Sequence, residues 1–493
     1  MADTSTPSPT GAAFMPRTTP TELQRLTEPL ASLVKRPPVG LAGSTPVQEA
    51  AQVMRRENVS SVLWLEGERL RGIVTDRDLR NRVLAEGLDL QCPIADVATT
   101  KPLVVGASRP AFDAVLAMTR HGIHHVPVVD GERVVGVLTP SDLSTQNAGS
   151  PLTLAALVHR AADLPELMQA VEGVSLLVQH LVAADATARS IGHIVTAITD
   201  AVTRRLIALA EADLGPAPVP YAWVAAGSQA REEQTAKTDQ DNCLVIDDAF
   251  DEHEHGAWFE AFTRRVCDGL NACGYVHCPG EMMAMNPKWR LPRHRWQALF
   301  DHWTMQPEPM ALMLTSVFFD LRTIHGEQAL LDGLRNEVLQ RTKGNTLFLA
   351  HLSDNALGHR PPLGFLGRIT TERSGEHKGT VDLKHGGIVP VVDLARVYAL
   401  EGGLGAVNTH DRLLSVTSGG AISSQSAHDL RDALEFIAMV RLRHQARRMG
   451  RGLAPDNFMA PIDLSNFERT QLRDAFKVVH TLQQVLSQRY GRR

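Results

Sequence analysis

Two stretches of the chain repeat one another at a constant offset of 64 residues. VSSVLWLEGERLRGIVTDRDL begins at Val59 and IHHVPVVDGERVVGVLTPSDL at Ile123, and the register holds without a gap. Val62 matches Val126, Gly72 matches Gly136, Thr75 matches Thr139 and Asp78 matches Asp142, while upstream Ala50 and Met54 match Ala114 and Met118. In the first copy Val47, Ala50, Ala51 and Met54 recur at helical spacing and describe one apolar helix face. Two short apolar strands are expected at 62–65 and 70–74, joined by a hairpin connection at Glu66-Gly67-Glu68. Thr75 and Thr139 stand where a hydroxyl caps a second helix, and Pro140 sits where its missing N–H loses no useful donor. A strand–helix–strand–strand–helix unit of roughly 55 residues buries too little surface to stand alone comfortably. Two copies in tandem bury each other's open face.

The pair resembles tandem CBS (cystathionine beta-synthase) domains over about residues 29–146, most tellingly in the Gly-apolar-apolar-Thr-x-x-Asp strings Gly72 to Asp78 and Gly136 to Asp142. The resemblance implies that Thr75, Asp78, Thr139 and Asp142 hold the ribose hydroxyls of an adenine nucleotide, AMP or ATP, between the copies. A carboxylate at a helix start is able to accept both hydroxyl protons of a cis-diol. The same four residues serve equally well as plain helix caps, and fold does not dictate ligand. Where the second copy has Pro140 and Ser141, the first has Asp76 and Arg77. Arg77 alone offers a guanidinium fork to a phosphate, which favours the first site for a charged ligand.

At 493 residues the chain is long enough for two to four compact units. Its 50 basic against 55 acidic side chains argue against a general nucleic-acid coat. The five cysteines, Cys92, Cys243, Cys267, Cys273 and Cys278, are too few and too uneven for a disulfide framework. No run approaches the roughly 18 apolar residues of a membrane span, and the Thr-, Pro- and Ser-rich N-terminus has no signal-peptide core. A soluble cytoplasmic protein is the expectation.

The most informative segment is YAWVAAGSQAREEQTAKTDQDNCLVIDD, residues 221–248. A strand over 221–226 ends in Gly227-Ser228, and Asp239-Gln240-Asp241 leads into a second strand at 243–246. Alternation along a strand points Asp239 and Asp241 the same way. Adjacent carboxylates repel unless a cation lies between them, and Mg²⁺ takes carboxylate oxygens together with nucleotide phosphates. Gly227 lets a phosphate approach the backbone, and Ser228 offers a hydroxyl and an amide.

Gly-Ser followed by Asp-x-Asp at this spacing resembles the nucleotidyltransferase superfamily. With Arg231, Glu233, Gln234 and Asn242 it is similar to the branch related to PII uridylyltransferase and the glutamine synthetase adenylyltransferase. The resemblance implies transfer of a nucleoside monophosphate from a nucleoside triphosphate to a protein hydroxyl, with Mg²⁺ or Mn²⁺ held by Asp239, Asp241 and a third carboxylate. Asp320, in SVFFDLRTIHGE, is the preferred third acid and is expected to share a strand face with Arg322; Glu281 competes with it. Gly227, Ser228, Arg231 and Arg322 are the expected phosphate contacts, with Lys237, Lys288 and Arg290 as weaker candidates. Cys267, Cys273, His277 and Cys278 lack a Cys-x-x-Cys pair and read as buried thiols rather than zinc ligands. His253 and His255 read as loop residues.

Asp163-Leu164-Pro165-Glu166 starts a helix, and Ile191, Ile194, Val195, Ile198 and Val202 continue a helical stripe. Toward the end, Leu430, Ala433, Leu434, Ile437 and Val440 share a face that runs into the basic string at 441–448. Ser465 and Glu468 form a capping-box pair before a stripe of Leu472, Ala475, Phe476, Val479, Leu482 and Leu486. VDLKHGGIVPVVDLARVYAL and RLRHQARR resemble the helical substrate-binding domain that follows these transferases. The expected fold is multidomain, α/β and α. A tail at 1–28 precedes CBS repeats (β-α-β-β-α) at 29–88 and 89–148, and a helical linker spans 151–215. A nucleotidyltransferase domain with a mixed sheet at 216–330 and a helical domain at 331–493 complete the chain, with a homodimer implied by the resemblance.

Overall fold

The computed structural model describes residues 25–143, 151–236, 238–306, 316–364, 367–417 and 422–490. The chain divides into two compact units, Met1–Ala156 and Leu157–Arg493.

In the first unit the repeat becomes one seven-stranded sheet. Strands β1 (Gly40–Leu41), β2 (Ser61–Glu66), β3 (Arg69–Thr75), β7 (Arg133–Leu138), β6 (Val126–Asp130) and β5 (Val105–Gly106) lie in that order, with β4 (Thr99–Thr100) added beside β3. The hairpin turn between β2 and β3 places Gly67 at φ 63, a conformation open to glycine at little cost. The helix Val47–Glu57 buries Val47, Ala50, Val53 and Met54. Ala51, expected on that face, is exposed, because the stripe is narrow and leans toward Val53. The second-copy helix Ala111–His121 buries Ala111, Phe112, Ala114, Val115 and Met118 in the same way.

The second unit is built on a four-stranded mixed sheet of order β12-β10-β8-β13. Its strands are β8 (Tyr221–Ala226), β10 (Asn242–Ile246), β12 (Arg290–Pro292) and β13 (Leu321–Gly326), with β8 antiparallel to both β10 and β13 and β10 parallel to β12. All six residues of β8 and all five of β10 are buried, as expected for central strands covered on both faces. Beside this sheet β9 (Asp239–Gln240) pairs in parallel with β11 (Val276–His277).

The helix Ala188–Leu214 buries the whole stripe read from the sequence and is capped by the Thr187 hydroxyl, which accepts the Ser190 N–H. It packs against the helix Glu252–Ala272 at a close crossing. A Cβ on Gly269 would stand 2.6 Å from Leu206 Cδ2. Helices expected as a linker are thus part of the second unit's own core. His253 and His255 are not in a loop: Asp251 accepts the N–H groups of His253 and Glu254 and starts this helix over them.

Phe318 packs its ring 4.5 Å from Trp289 and 5.3 Å from Trp296, which fixes the bend from which β13 departs. The helical C-terminal half includes Val389–Glu401, buried almost all round, and Ser424–Gly450 and Asn466–Tyr490, whose buried residues include the stripes read above. Ser465 and Glu468 make the reciprocal box, at 3.1 and 2.9 Å. A short pairing of β14 (Val381–Asp382) with β15 (Phe458–Met459) ties the start of that half to its end. No helix among the described residues is long and apolar enough to cross a membrane.

Candidate functional site

Among the described residues, two clefts of the repeat unit hold the residues expected to bind a nucleotide. The larger, about 740 Å³, is lined by Thr75, Arg77, Asp78 and Thr139 together with Arg80, Arg82 and the segment His121–His125. The smaller, about 270 Å³, holds Asp142, Lys35 and again Thr139. Both aspartates are engaged with their own threonines. Asp78 Oδ2 accepts the Thr75 N–H at 2.9 Å and hydroxyl at 2.7 Å, and Asp142 Oδ2 takes the same pair from Thr139 at 3.0 and 2.6 Å. These are capping bonds, and they fix each carboxylate at the cleft edge. Lys35 faces Asp142 at 3.3 Å, whereas the exposed Arg77 makes no ion pair among the described residues. Arg77, Arg80 and Arg82 stand with Asp76 and Asp78 in the larger cleft, and Lys35 and Arg36 with Asp142 in the smaller.

In the second unit, β8 delivers the chain to Gly227 and the short helix Gly227–Ala230. Gly227 is required there. Its φ is 56, and a Cβ would lie 2.9 Å from Asp241 Oδ2. Asp239 and Asp241 sit together across this turn, with Cys278 as a third neighbour; one donor atom from each lies within 4.8 Å of the others. The alternation that brings the two acids together sends Gln240 and Asn242 the other way, into the core. Gln240 donates to the carbonyls of Cys267 and Tyr275 at 2.9 and 3.0 Å, and Asn242 Oδ1 accepts the Ala284 N–H at 2.8 Å. The pair is thus held by core hydrogen bonds rather than by a loop.

Burial, and then the charge of Asp239, push the Asp241 carboxyl up to about 6, and the Cys278 thiol donates a hydrogen bond to it. Burial and the same carboxylate push that thiol up to about 12, so it stays protonated. Two carboxylates lie side by side with no salt bridge to either among the described residues, and their oxygens suit a hard divalent cation. Cys278, set aside as a buried thiol on sequence grounds, is a member of this group.

Asp320 does not join them. Its side chain is wholly buried and both oxygens are taken by arginines. Arg396 donates to both, at 3.1 and 2.6 Å, Arg231 reaches Oδ2 at 2.6 Å and Arg412 reaches Oδ1 at 2.6 Å. These guanidiniums hold its carboxyl far below the usual range despite burial. The expectation of Asp320 as third metal ligand is corrected: it precedes β13 rather than lying on it, and its charge is consumed by the cage. What it gives the site is its carbonyl, which accepts the Gly227 N–H at 3.2 Å.

Two expected phosphate contacts change role with it. Arg231 is divided between Asp320 and Glu233, the latter at 2.8 Å. Arg322 grips Asp200 with two bonds, at 2.6 and 3.1 Å, and donates to the carbonyls of Gln229 and Ala230, so it clamps the turn rather than a phosphate. Arg290 likewise bonds the carbonyls of Ala284 and Met285, Glu281 and Lys288 are exposed and outside the group, and Lys237 lies outside the described residues. Ser228 is half-buried at the start of the short helix, and its N–H has no backbone partner among the described residues.

Sequence reasoning left Arg441 at the end of its helix, whereas it is buried within the helix Ser424–Gly450 and donates from Nε to Asn457 Oδ1 at 2.7 Å. An i+3/i+4 count from Ile437 puts Arg441 on the same face as the buried stripe, which was the available signal.

Comparison with known families agrees with this architecture. The family described as "Putative nucleotidyltransferase DUF294" matches residues 172–310, and "Putative nucleotidyltransferase substrate binding domain" matches 346–490. CBS domains match 30–85 and 94–146. The chain carries two CBS domains followed by a DUF294 domain and the C-terminal domain that goes with it. The CBS domain-containing protein YhcV of Bacillus subtilis is 36% identical over 112 residues, 22% of this chain and 80% of that protein. Hypoxic response protein 1 of Mycobacterium tuberculosis is 32% identical over 97 residues, 19% of this chain and 68% of its own length. The CBS domain protein PAE2072 from Pyrobaculum aerophilum, solved complexed with AMP, is 30% identical, with 29% of this chain and 98% of that chain covered at a TM-score of 0.22.

Proposed function

We propose that this DUF294 protein transfers a nucleoside monophosphate from a nucleoside triphosphate to a protein hydroxyl, releasing pyrophosphate, as PII uridylyltransferase does. An adenine nucleotide in the CBS cleft regulates it in signal transduction. The observation that carries the reading is the Asp239–Asp241 pair, un-neutralised by ion pairing and set across a glycine turn that a Cβ would fill. Asp239 and Asp241 hold Mg²⁺ or Mn²⁺, which when bound offsets charge on the attacking and leaving oxygens. Gly227 leaves room for the phosphate chain beside Asp241, and Ser228 presents its hydroxyl and amide to a phosphate oxygen. Asp320 and its arginines keep the turn in place and take no part in proton transfer. Thr75, Asp78 and Arg77 bind the regulatory nucleotide in the larger cleft, whose volume suits a ligand of that size.

The test is incubation with each α-labelled nucleoside triphosphate, Mn²⁺ and cell extract. Label on a protein that disappears with Asp239→Asn supports the transferase. The engagement of Asp320 favours one second reading, a nucleotide sensor without catalysis; it predicts no labelled protein with any nucleotide but intact ligand binding.

A further inference from the structure

We propose that Asp200, on the helix Ala188–Leu214, is a positioning residue of the nucleotide site: through Gln229 and Arg322 it holds the turn Gly227–Ala230 so that the Ser228 hydroxyl and amide meet the phosphate chain. The inference rests on the transferase reading for its ligand and adds a residue which that reading does not use. Asp200 touches no substrate and acts through the backbone of the turn.

Besides its apolar stripe this helix carries a polar one. His193, Thr196, Asp200 and Arg204 follow one another at steps of three and four residues and so share one side of the helix. The first three are buried. His193 Nδ1 lies 3.0 Å from Glu232 Oε2, and Thr196 Oγ1 accepts the Gln234 N–H at 3.3 Å. Asp200 Oδ1 accepts from Gln229 Nε2 at 3.0 Å, and Arg204 donates to the Ile324 carbonyl of β13 at 2.8 Å. One helix face therefore grips the stretch from Gln229 to Gln234 that leads from the turn toward Asp239. A Cβ on Gly192 would stand 3.2 Å from the Glu232 carbonyl oxygen, so helix and stretch run in close contact. Glu232 itself has φ 59, a left-handed conformation uncommon for a residue with a Cβ.

Within this face Asp200 reaches the turn itself. It takes Arg322 in a two-bond fork, and the same guanidinium donates to the carbonyls of Gln229 and Ala230, the last two residues of the short helix. The carboxylate holds the fork in its plane, so the backbone of the turn is fixed in direction as well as in distance. Replacing a buried ion pair by apolar side chains of similar volume is often neutral or stabilising, so stability alone does not call for Asp200 and Arg322 here. What the pair adds is the placement of Gly227 and Ser228 against Asp241, where a displacement of about 1 Å costs on the order of a hundredfold in rate.

The readout is manganese-dependent binding of inorganic tripolyphosphate to the full chain, followed by Mn²⁺ electron paramagnetic resonance and restricted to the binding that Asp239→Asn abolishes. Asp200→Asn should weaken it roughly tenfold or more, the loss typical when a partner that orients a ligating group is removed. Mn²⁺ alone should bind that variant as it binds wild type, because Gln240 and Asn242 hold the acids through the core and not through the turn. Asp200→Leu strands Arg322 and should lower the unfolding midpoint. Adding Arg322→Met should recover part of the midpoint and none of the tripolyphosphate binding. A pair that serves stability alone predicts the opposite, binding that returns with the midpoint. That return, wild-type tripolyphosphate binding in Asp200→Asn, or an equal loss of Mn²⁺ alone would overturn the proposal. Absence of Asp239-dependent Mn²⁺ and tripolyphosphate binding by the wild type would instead overturn the transferase reading, and the proposal with it.

Discussion

Replacing Asp320 by asparagine separates a charge in a cage from a metal ligand. Three guanidiniums, of Arg231, Arg396 and Arg412, surround the buried carboxylate, and two further acids, Glu233 and Asp393, pair with Arg231 and Arg396. Three cations are thus balanced by three anions. Asparagine keeps the shape and removes one charge, leaving Arg412 as the cation with no second carboxylate and with carbonyls of Ala406 and Phe319 as its remaining partners. Breaking a buried pair from one side costs about 3–5 kcal/mol. The second unit spans about 340 residues, for which the entropy of unfolding is roughly 0.7 kcal/mol/K, so its midpoint should fall by roughly 4–7 °C. The carboxyl is depressed in the folded state, so its contribution is complete above the unfolded value of 3.8 and is lost only as pH falls below that. Wild type and Asp320→Asn should therefore differ by the same amount at pH 8 and pH 5. Adding Arg412→Met should recover part of the loss by removing the stranded cation. Calorimetry gives the midpoints, and Mn²⁺ binding is measured below both transitions. A midpoint within about 1 °C of wild type, together with a tenfold or greater loss of Mn²⁺ affinity, would refute the cage and return Asp320 to the metal.

Gly227→Ala must hold a Cβ at positive φ against Asp241, a backbone strain of about 1–2 kcal/mol, and is expected to lower Mn²⁺ affinity as well as the unfolding midpoint. Asp78→Ala removes both bonds to Thr75, so the first unit should lose about 1 kcal/mol in urea titration and any rise in melting temperature with AMP or ATP should vanish. Cys278→Ala should weaken Cd²⁺ binding far more than Mn²⁺ binding, measured by competition, because the sulfur, once a soft cation displaces its proton, is the soft donor of the group.

Much of this protein is readable from local pattern. The 64-residue repeat, the helical stripes at 191–202, 430–440 and 472–486, and the caps at Thr75, Asp163 and Ser465 depend on periodicity and on bonds spanning a few residues. Asp239 and Asp241 share a face for the same reason, since two-residue alternation needs no knowledge of the rest of the chain. Partnership between distant charges is another matter. Asp320 and Arg396 are 76 positions apart, Asp320 and Arg231 are 89 apart, and no local rule says which cation a buried acid will meet. Packing of the helical half against the sheet decides that Asp320 is caged, and tertiary contacts likewise decide that Arg322 clamps a turn and that Cys278 reaches the carboxylate pair. Periodicity is written along the chain, whereas a charge takes its role from whatever the tertiary fold brings within a few ångströms of it.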